Sequence, residues 1–134
     1  MDNGYNNKTL KLLIIDDNKD LTEIMCDLIG FLGHKTICSQ DGKDGIAMAK
    51  EHHPDVIICD IGLPVMDGYE VAQQLRKDDE IKETFLIALS GYAGVEDRKR
   101  SREAGFDRHL AKPADISAIE RVIAEAAMRI KQTV

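Results

Sequence analysis

Five times along the chain, a short and nearly uninterrupted apolar run is followed by a longer stretch whose apolar residues recur at helical spacing. The runs are Leu10 to Ile15, Thr36 to Cys38, Val56 to Cys59, Phe85 to Leu89 and the weaker His109 to Ala111. The first helical stretch carries a one-face stripe of Leu21, Ile24, Met25, Leu28, Ile29 and Leu32. The last repeats the period through Ile116, Ile119, Ile123, Ala126 or Ala127, and Ile130. Shorter helices are expected over Gly42 to Glu51, Gly68 to Lys77 and Val95 to Ala104. Stop signals agree: Gly33 follows the first helix, Pro54 precedes the third run and Gly105 follows the fourth helix.

Runs without polar alternation describe strands covered on both faces, and strand–helix alternation makes the sheet parallel. With right-handed crossovers, the natural result is an α/β, flavodoxin-like (βα)5 three-layer sandwich with five parallel strands in the order 2-1-3-4-5. The 134 residues suit one such domain, and no repeat, linker or low-complexity stretch interrupts them. The expected organisation is a polar tail over residues 1–8 and a single domain over 9–134, with no second domain after the last helix.

A net charge of −6 argues against a nucleic-acid partner, which would need clustered Lys and Arg. No apolar run approaches the roughly 18 residues of a membrane span. The first eight residues lack the apolar centre of a signal peptide. Cys26, Cys38 and Cys59 are odd in number and show no CxxC spacing, so they read as small buried hydrophobes in a reducing cytoplasm.

In a sheet of this kind, ligands gather at the carboxyl ends of the strands. Asp16, Asp17 and Asn18 follow the first run, Asp60 the third, Ser90 the fourth, and Lys112 with Pro113 the fifth. Each has an ordinary explanation taken alone: Asp16 or Asn18 as a helix cap, Ser90 as a turn residue, Lys112 as a solvated charge. Together, three carboxylates, a hydroxyl and an amine converge on one edge. Two carboxylates about 4 Å apart repel by roughly 4 kcal/mol at an effective dielectric near 20, so the cluster must take up protons or hold a cation. A hard, oxygen-lined site suits Mg²⁺, with Mn²⁺ as a possible substitute. Such a metal beside a carboxylate makes Asp60 a plausible nucleophile toward phosphorus. Lys112 and Ser90 would neutralise and hydrogen-bond the remaining phosphoryl oxygens.

Four ordered motifs carry a resemblance over nearly the whole chain. They are Ile14-Ile15-Asp16-Asp17-Asn18, the stretch Asp60-Ile61-Gly62-Leu63-Pro64-Val65-Met66-Asp67-Gly68, Ala88-Leu89-Ser90-Gly91, and Leu110-Ala111-Lys112-Pro113. The chain resembles the receiver domains of two-component response regulators, with a finer likeness to those attached to hybrid histidine kinases. The resemblance implies Asp60 as phosphoacceptor, Asp17 as direct metal ligand, Asp16 acting through water, and the Gly62 backbone carbonyl as a further ligand. It implies Ser90 as switch hydroxyl, Lys112 as the phosphoryl-neutralising lysine and a cis Lys112–Pro113 bond. The domain would be a signalling phosphoacceptor and no enzyme beyond its own phosphorylation and dephosphorylation.

This sequence departs from the common pattern at His109, where the switch position is often Tyr or Phe. An imidazole there would make any switch depend on pH. Gly62 leaves water unobstructed while Tyr92 could shield the phosphoryl group, so the two oppose each other. The expected donor is a histidine kinase or histidine phosphotransfer protein docking over the site edge and first helix. Output would pass to a protein target through the fourth helix, fifth strand and fifth helix, in a monomer or weak homodimer. His34, His52, His53 and His109 do not sit in a kinase-like sequence, and His52-His53 is expected to end the second helix. A haloacid-dehalogenase-type hydrolase would need an Asp where Gly62 stands. A nucleotide carrier would need a Gly-rich phosphate loop where Asp16 and Asp17 stand. A phosphorylation-independent scaffold has no use for all five site residues.

Overall fold

The structure is a computed structural model that describes residues 9–132. Five strands and five helices alternate strictly: β1 (Lys11–Ile15), α1 (Lys19–Phe31), β2 (Lys35–Ser39), α2 (Gly42–His52), β3 (Val56–Asp60), α3 (Gly68–Lys77), β4 (Phe85–Ser90), α4 (Val95–Ala104), β5 (Arg108–Ala111) and α5 (Ile116–Gln132). All the strand pairings are parallel, in the order β2-β1-β3-β4-β5. This is the doubly wound arrangement expected from the alternation. The expected tail over residues 1–8 lies outside the described residues.

The period-two geometry of strands sorts the apolar runs into two cores, one on each face. Leu13, Ile15, Ile57, Cys59, Leu86 and Ala88 pack with α2 and α3 residues such as Ile46, Val71 and Leu75. Their chain neighbours Leu12, Ile14, Val56, Ile58, Ile87 and Leu89 pack with Met25 and Ile29 of α1 and Ile119, Val122 and Ile123 of α5. Each helix is also stopped or started by local chemistry. Asn18 Oδ1 accepts from Leu21 N at 3.0 Å to cap α1, and Asp67 with Glu70 forms a reciprocal capping box on α3. α2 ends at His52, as expected for the His52-His53 pair, and His53 caps it in a left-handed conformation with φ 48°.

Two expectations need correction. The α1 stripe is wider than the face that the core covers: Met25 and Ile29 are buried, but Ile24 and Leu28 are exposed. A single sheet face contacts only about a third of a helix's circumference, so a broad stripe leaves one flank outside. Phe31 at the end of that flank is 90% exposed. Second, the cysteines are not all buried. Cys59 is buried and free, but Cys26 of α1 and Cys38 of β2 are only partly buried and bring their sulfurs together where α1 crosses β2. Their spacing of 12 residues gives no sequence signal, because α1 crossing onto its neighbouring strand is what brings them together.

Candidate functional site

Each strand that ends at the carboxyl edge delivers a polar side chain there. Asp60 is the last residue of β3 and Ser90 the last of β4, and both are buried. Asp16 follows β1 and is 1% exposed, whereas Asp17 beside it is exposed. Backbone hydrogen bonds lock these ends in register: Asp16 N donates to Ser39 O at 3.1 Å, Ile61 N to Leu89 O at 3.0 Å, and Lys112 N to Ser90 O at 2.7 Å. The Lys112–Pro113 peptide bond is cis.

The loop after β3 is held by a close approach that only glycine permits. A Cβ on Gly68 would stand 2.6 Å from the backbone oxygen of Asp60 and 2.7 Å from Ile61 Cα. The amino end of α3 therefore sits directly under the backbone of Asp60, and Gly68 N donates to Ile61 O at 2.9 Å. Between them Val65 takes φ 68°, a conformation that costs a β-branched residue on the order of 1 kcal/mol or more, with its side chain fully in solvent.

Carboxylate oxygens of Asp16, Asp17 and Asp60 lie within 4.8 Å of one another. Lys112 Nζ stands between two of them, 3.1 Å from Asp16 Oδ2 and 3.2 Å from Asp60 Oδ2. Asp60 Oδ1 accepts from Gly62 N at 3.1 Å, and Asp16 Oδ1 from Asn18 N at 2.9 Å. Burial raises the Asp60 carboxyl above the ordinary carboxylate range and Asp16 adds to the rise; the Gly62 N–H and Lys112 oppose it. Burial pulls the Lys112 ammonium down, but its two carboxylate neighbours outweigh that and hold it above its ordinary value.

Charge does not balance here. One ammonium faces three carboxylates, and two carboxylates about 5 Å apart repel by roughly 3 kcal/mol at an effective dielectric near 20. The buried Asp16 Oδ2 has Lys112 as a charged neighbour, yet receives no hydrogen bond in good geometry. A group of carboxylates, two of them buried, with more negative charge than its one lysine neutralises has the chemistry of a cation site. An all-oxygen donor set of this size fits Mg²⁺, which takes one or two carboxylates and keeps several waters.

The residues singled out in the sequence thus meet in two places. Asp16, Asp17, Asp60, Gly62 and Lys112 share one cluster, and Ser90 stands at the neighbouring strand end. His109 is set apart, on the face of β5 toward α4, where Nε2 lies 3.1 Å from Tyr92 O and Nδ1 2.8 Å from Ser101 Oγ. Tyr92 is 76% exposed. Asn18 serves as the α1 cap. Ser101 was not anticipated; its one sequence signal is a small hydroxyl in a helix otherwise almost wholly charged. No described helix is long and apolar enough to cross a membrane.

Comparison with known proteins agrees with this geometry. Residues 12–124 match the family model for the response regulator receiver domain. The polar-differentiation response regulator DivK of Brucella ovis is 34% identical over 108 residues, which is 81% of this chain and 88% of that protein. The chemotaxis protein CheY4 of Vibrio cholerae shares the fold with a TM-score of 0.84 at 24% identity, over 89% of this chain and 99% of that one. The receiver domain of sensor histidine kinase PA1611 from Pseudomonas aeruginosa, solved with a magnesium ion in its active-site cleft, has a TM-score of 0.81 at 26% identity. That match covers 90% of this chain and 98% of the other. From its topology, its acidic edge and its likeness to these proteins, this chain belongs to the response regulator receiver domain family.

Proposed function

We propose that Asp60 accepts a phosphoryl group from a phosphohistidine protein in a Mg²⁺-dependent reaction, and that the domain signals through the resulting change of charge. The observation that carries this reading is the cluster of three carboxylates with a single lysine, 3.1 and 3.2 Å from two of them. Asp16, Asp17, Asp60 and the Gly62 backbone carbonyl would hold the metal. The ion would supply charge neutralisation for the incoming phosphoryl oxygens.

The chain's own residues divide the remaining work. A carboxylate oxygen of Asp60 attacks phosphorus; the P–N bond of the donor breaks as the P–O bond of an acyl phosphate forms, and the imidazole leaves with the bond's electron pair. The Gly62 N–H orients the Asp60 carboxylate. Lys112 is already in contact with Asp60 and stays protonated throughout, so it is available to pair with a phosphoryl oxygen. Ser90 Oγ has its proton free to donate, because in this structure it accepts from Tyr92 N at 3.0 Å. The acyl phosphate carries nearly two negative charges where the carboxylate carried one, and its added charge and new acceptor oxygens favour movement of Ser90 and the β4–α4 loop. The donor would be a histidine kinase or phosphotransfer protein, docking over the site and the exposed α1 flank of Ile24 and Leu28.

The test is intact mass after incubation with acetyl phosphate and Mg²⁺. One added phosphoryl group is expected on the unaltered protein and none on Asp60→Asn or in EDTA. A protein that gains no mass with Mg²⁺, or gains the same mass when Asp60 is Asn, is not the phosphoacceptor described.

A further inference from the structure

α1 meets β2 along a seam unlike the packing elsewhere on the sheet. β2 is an edge strand whose side chains alternate: Ile37 joins the core under α2 and α3, while Thr36 and Cys38 face α1. β2 therefore offers α1 no large aliphatic side chain. Polar contacts take their place. The Thr36 hydroxyl donates to the Cys26 carbonyl and the Gln40 amide to Thr22 Oγ1, both at 3.3 Å, and the Cys38 thiol to the Thr22 carbonyl at 3.8 Å. These are long and weak bonds. Toward β1 and β3, by contrast, α1 is anchored by Met25 and Ile29 in the apolar core.

At the centre of the seam the sulfurs of Cys26 and Cys38 meet. Both residues are partly buried, so a small reagent in solution can reach them; Cys59 is 1% exposed and lies in the opposite core. The two Cα atoms stand 7.2 Å apart, a little beyond the roughly 4.4–6.8 Å that bridged cysteines span. Closing a bond there draws α1 and β2 together by about half an ångström, and the thin seam gives them room to move.

We propose that Cys26 and Cys38 are a reversible oxidation site: a low-molecular-weight disulfide converts the facing thiols into a bond that clamps α1 to the edge strand and shifts the exposed flank of that helix. The thiolate of one cysteine attacks the oxidant, forming a mixed disulfide and releasing one thiol; the sulfur of the other cysteine then displaces the second. Two protein thiols give up two hydrogens with their electrons, and one small disulfide becomes two thiols. In a reducing compartment such a bond is transient, which suits a signal.

The oxidation site goes beyond the phosphoacceptor reading and does not depend on it; its consequence for a protein donor does. Asp60, Ser90 and Lys112 stand on the far side of β1 from this seam. The bond therefore acts on docking over Ile24 and Leu28 of α1 and leaves the reaction with a small phosphodonor unchanged.

The experiment treats the full chain with oxidised glutathione and then removes the reagent. Titration of the unfolded protein is expected to fall from three thiols to one, because buried Cys59 is untouched. The intact mass should drop by two hydrogens, with no dimer, and digestion should recover Cys26 linked to Cys38. In the oxidised form, hydrogen exchange in α1 from Cys26 onward is expected to slow about tenfold. The amide resonances of Ile24 and Leu28 should shift, and phosphoryl uptake from acetyl phosphate with Mg²⁺ should stay within about twofold of the reduced form. A dithiol reductant should reverse every change. Cys38→Ser should stop at a mixed disulfide on Cys26, with α1 exchange as in the reduced protein. Three thiols after treatment, a mixed disulfide that persists in the unaltered protein, or a link through Cys59 or between two chains would overturn the oxidation site. A Cys26–Cys38 bond that leaves α1 exchange and the two resonances unmoved would overturn the clamp. Failure of the reduced protein to take up phosphoryl groups would overturn the phosphoacceptor reading and its docking consequence, and leave the oxidation site standing.

Discussion

The two edges of the sheet each hold acidic groups, and they treat them in opposite ways. At the amino edge, just before β5, Asp107 is fully engaged. Its Oδ2 accepts from Leu86 N and Arg76 Nη2, both at 2.8 Å, and its Oδ1 from Arg129 at 2.6 Å. Arg76 also donates to the carbonyls of Gly105, Lys82 and Thr84. One carboxylate thereby fastens α3, β4 and α5 together. At the carboxyl edge, three carboxylates cluster around a single lysine that reaches only Asp16 and Asp60, so their charge is only partly met. A carboxylate satisfied on every side contributes to holding the fold. One left short of partners is poised to bind something.

The contrast breaks most visibly at Asp107. Asp107→Ala leaves the Leu86 N–H without its acceptor and takes one partner from each of two guanidinium groups, and is expected to cost about 2 kcal/mol in a denaturant titration. Phosphoryl uptake per folded molecule should be unchanged. A cost below about 1 kcal/mol would mean that the amino edge does not depend on this carboxylate.

A second comparison lies within the site loop. Gly68→Ala places a methyl group against the Asp60 backbone, which cannot give way as a side chain would, and should cost about 2 kcal/mol together with slower phosphoryl uptake. Gly62→Ala meets only Asp60 Oδ1 at 3.8 Å, so its stability should stay within about 0.5 kcal/mol of the unaltered protein. Equal losses at the two glycines would remove the argument for a close approach.

At the carboxyl edge, removing a charge should help the fold. Asp60→Asn is expected to raise stability at neutral pH by on the order of 1 kcal/mol, because it relieves repulsion from Asp16. The pH dependence has a definite sign. A carboxyl raised in the folded state binds a proton there before it does in the unfolded chain. Stability from this group therefore increases as pH falls through the raised folded value, levelling off below the ordinary carboxylate range. Asp60→Asn should abolish that component. Mg²⁺ at ten times its Kd should stabilise the unaltered protein by about 1.4 kcal/mol and the variant by less. An Asp60→Asn protein that is less stable than its parent in the absence of metal would contradict the picture of an overcharged edge.

The smallest effect belongs to His34, whose Nδ1 accepts from Leu10 N at 3.1 Å beside the start of β1. Burial lowers this imidazole's pKa. The unfolded chain then protonates first, so the stability it contributes is complete above the ordinary histidine value and is lost as pH falls toward the lower folded one. His34→Ala should cost about 0.5–1 kcal/mol near pH 7.5 and flatten this part of the slope in thermal melts.

Much of this was legible in the chain itself. α3 and α4 begin and end where their patterns predicted, because Asp67-Gly68 and Gly105 are local signals that need no partner. The strand runs were found to within a residue or two, since strands buried on both faces read as plain apolar blocks. Asp16, Asp17, Asp60, Ser90 and Lys112 stand at one edge as expected, because strand order alone puts their positions there. Less could be read where burial depends on what packs opposite. The α1 stripe gave no sign of which flank would stay in solvent, and Cys26 and Cys38 gave none of being neighbours. Asp107 looked like any charged loop residue.

Alternation of apolar runs and helical patterns determined the layers, the parallel sheet and the edge at which the acidic residues stand, because these follow from local periodicity and chain connectivity. Tertiary structure decided the rest: which carboxylate is satisfied and which is not, that Lys112 lies between two of them, and that His109 meets both Tyr92 and Ser101. Those contacts join residues far apart in sequence, and their energies depend on distance, direction and burial, which exist only once the chain has closed on itself.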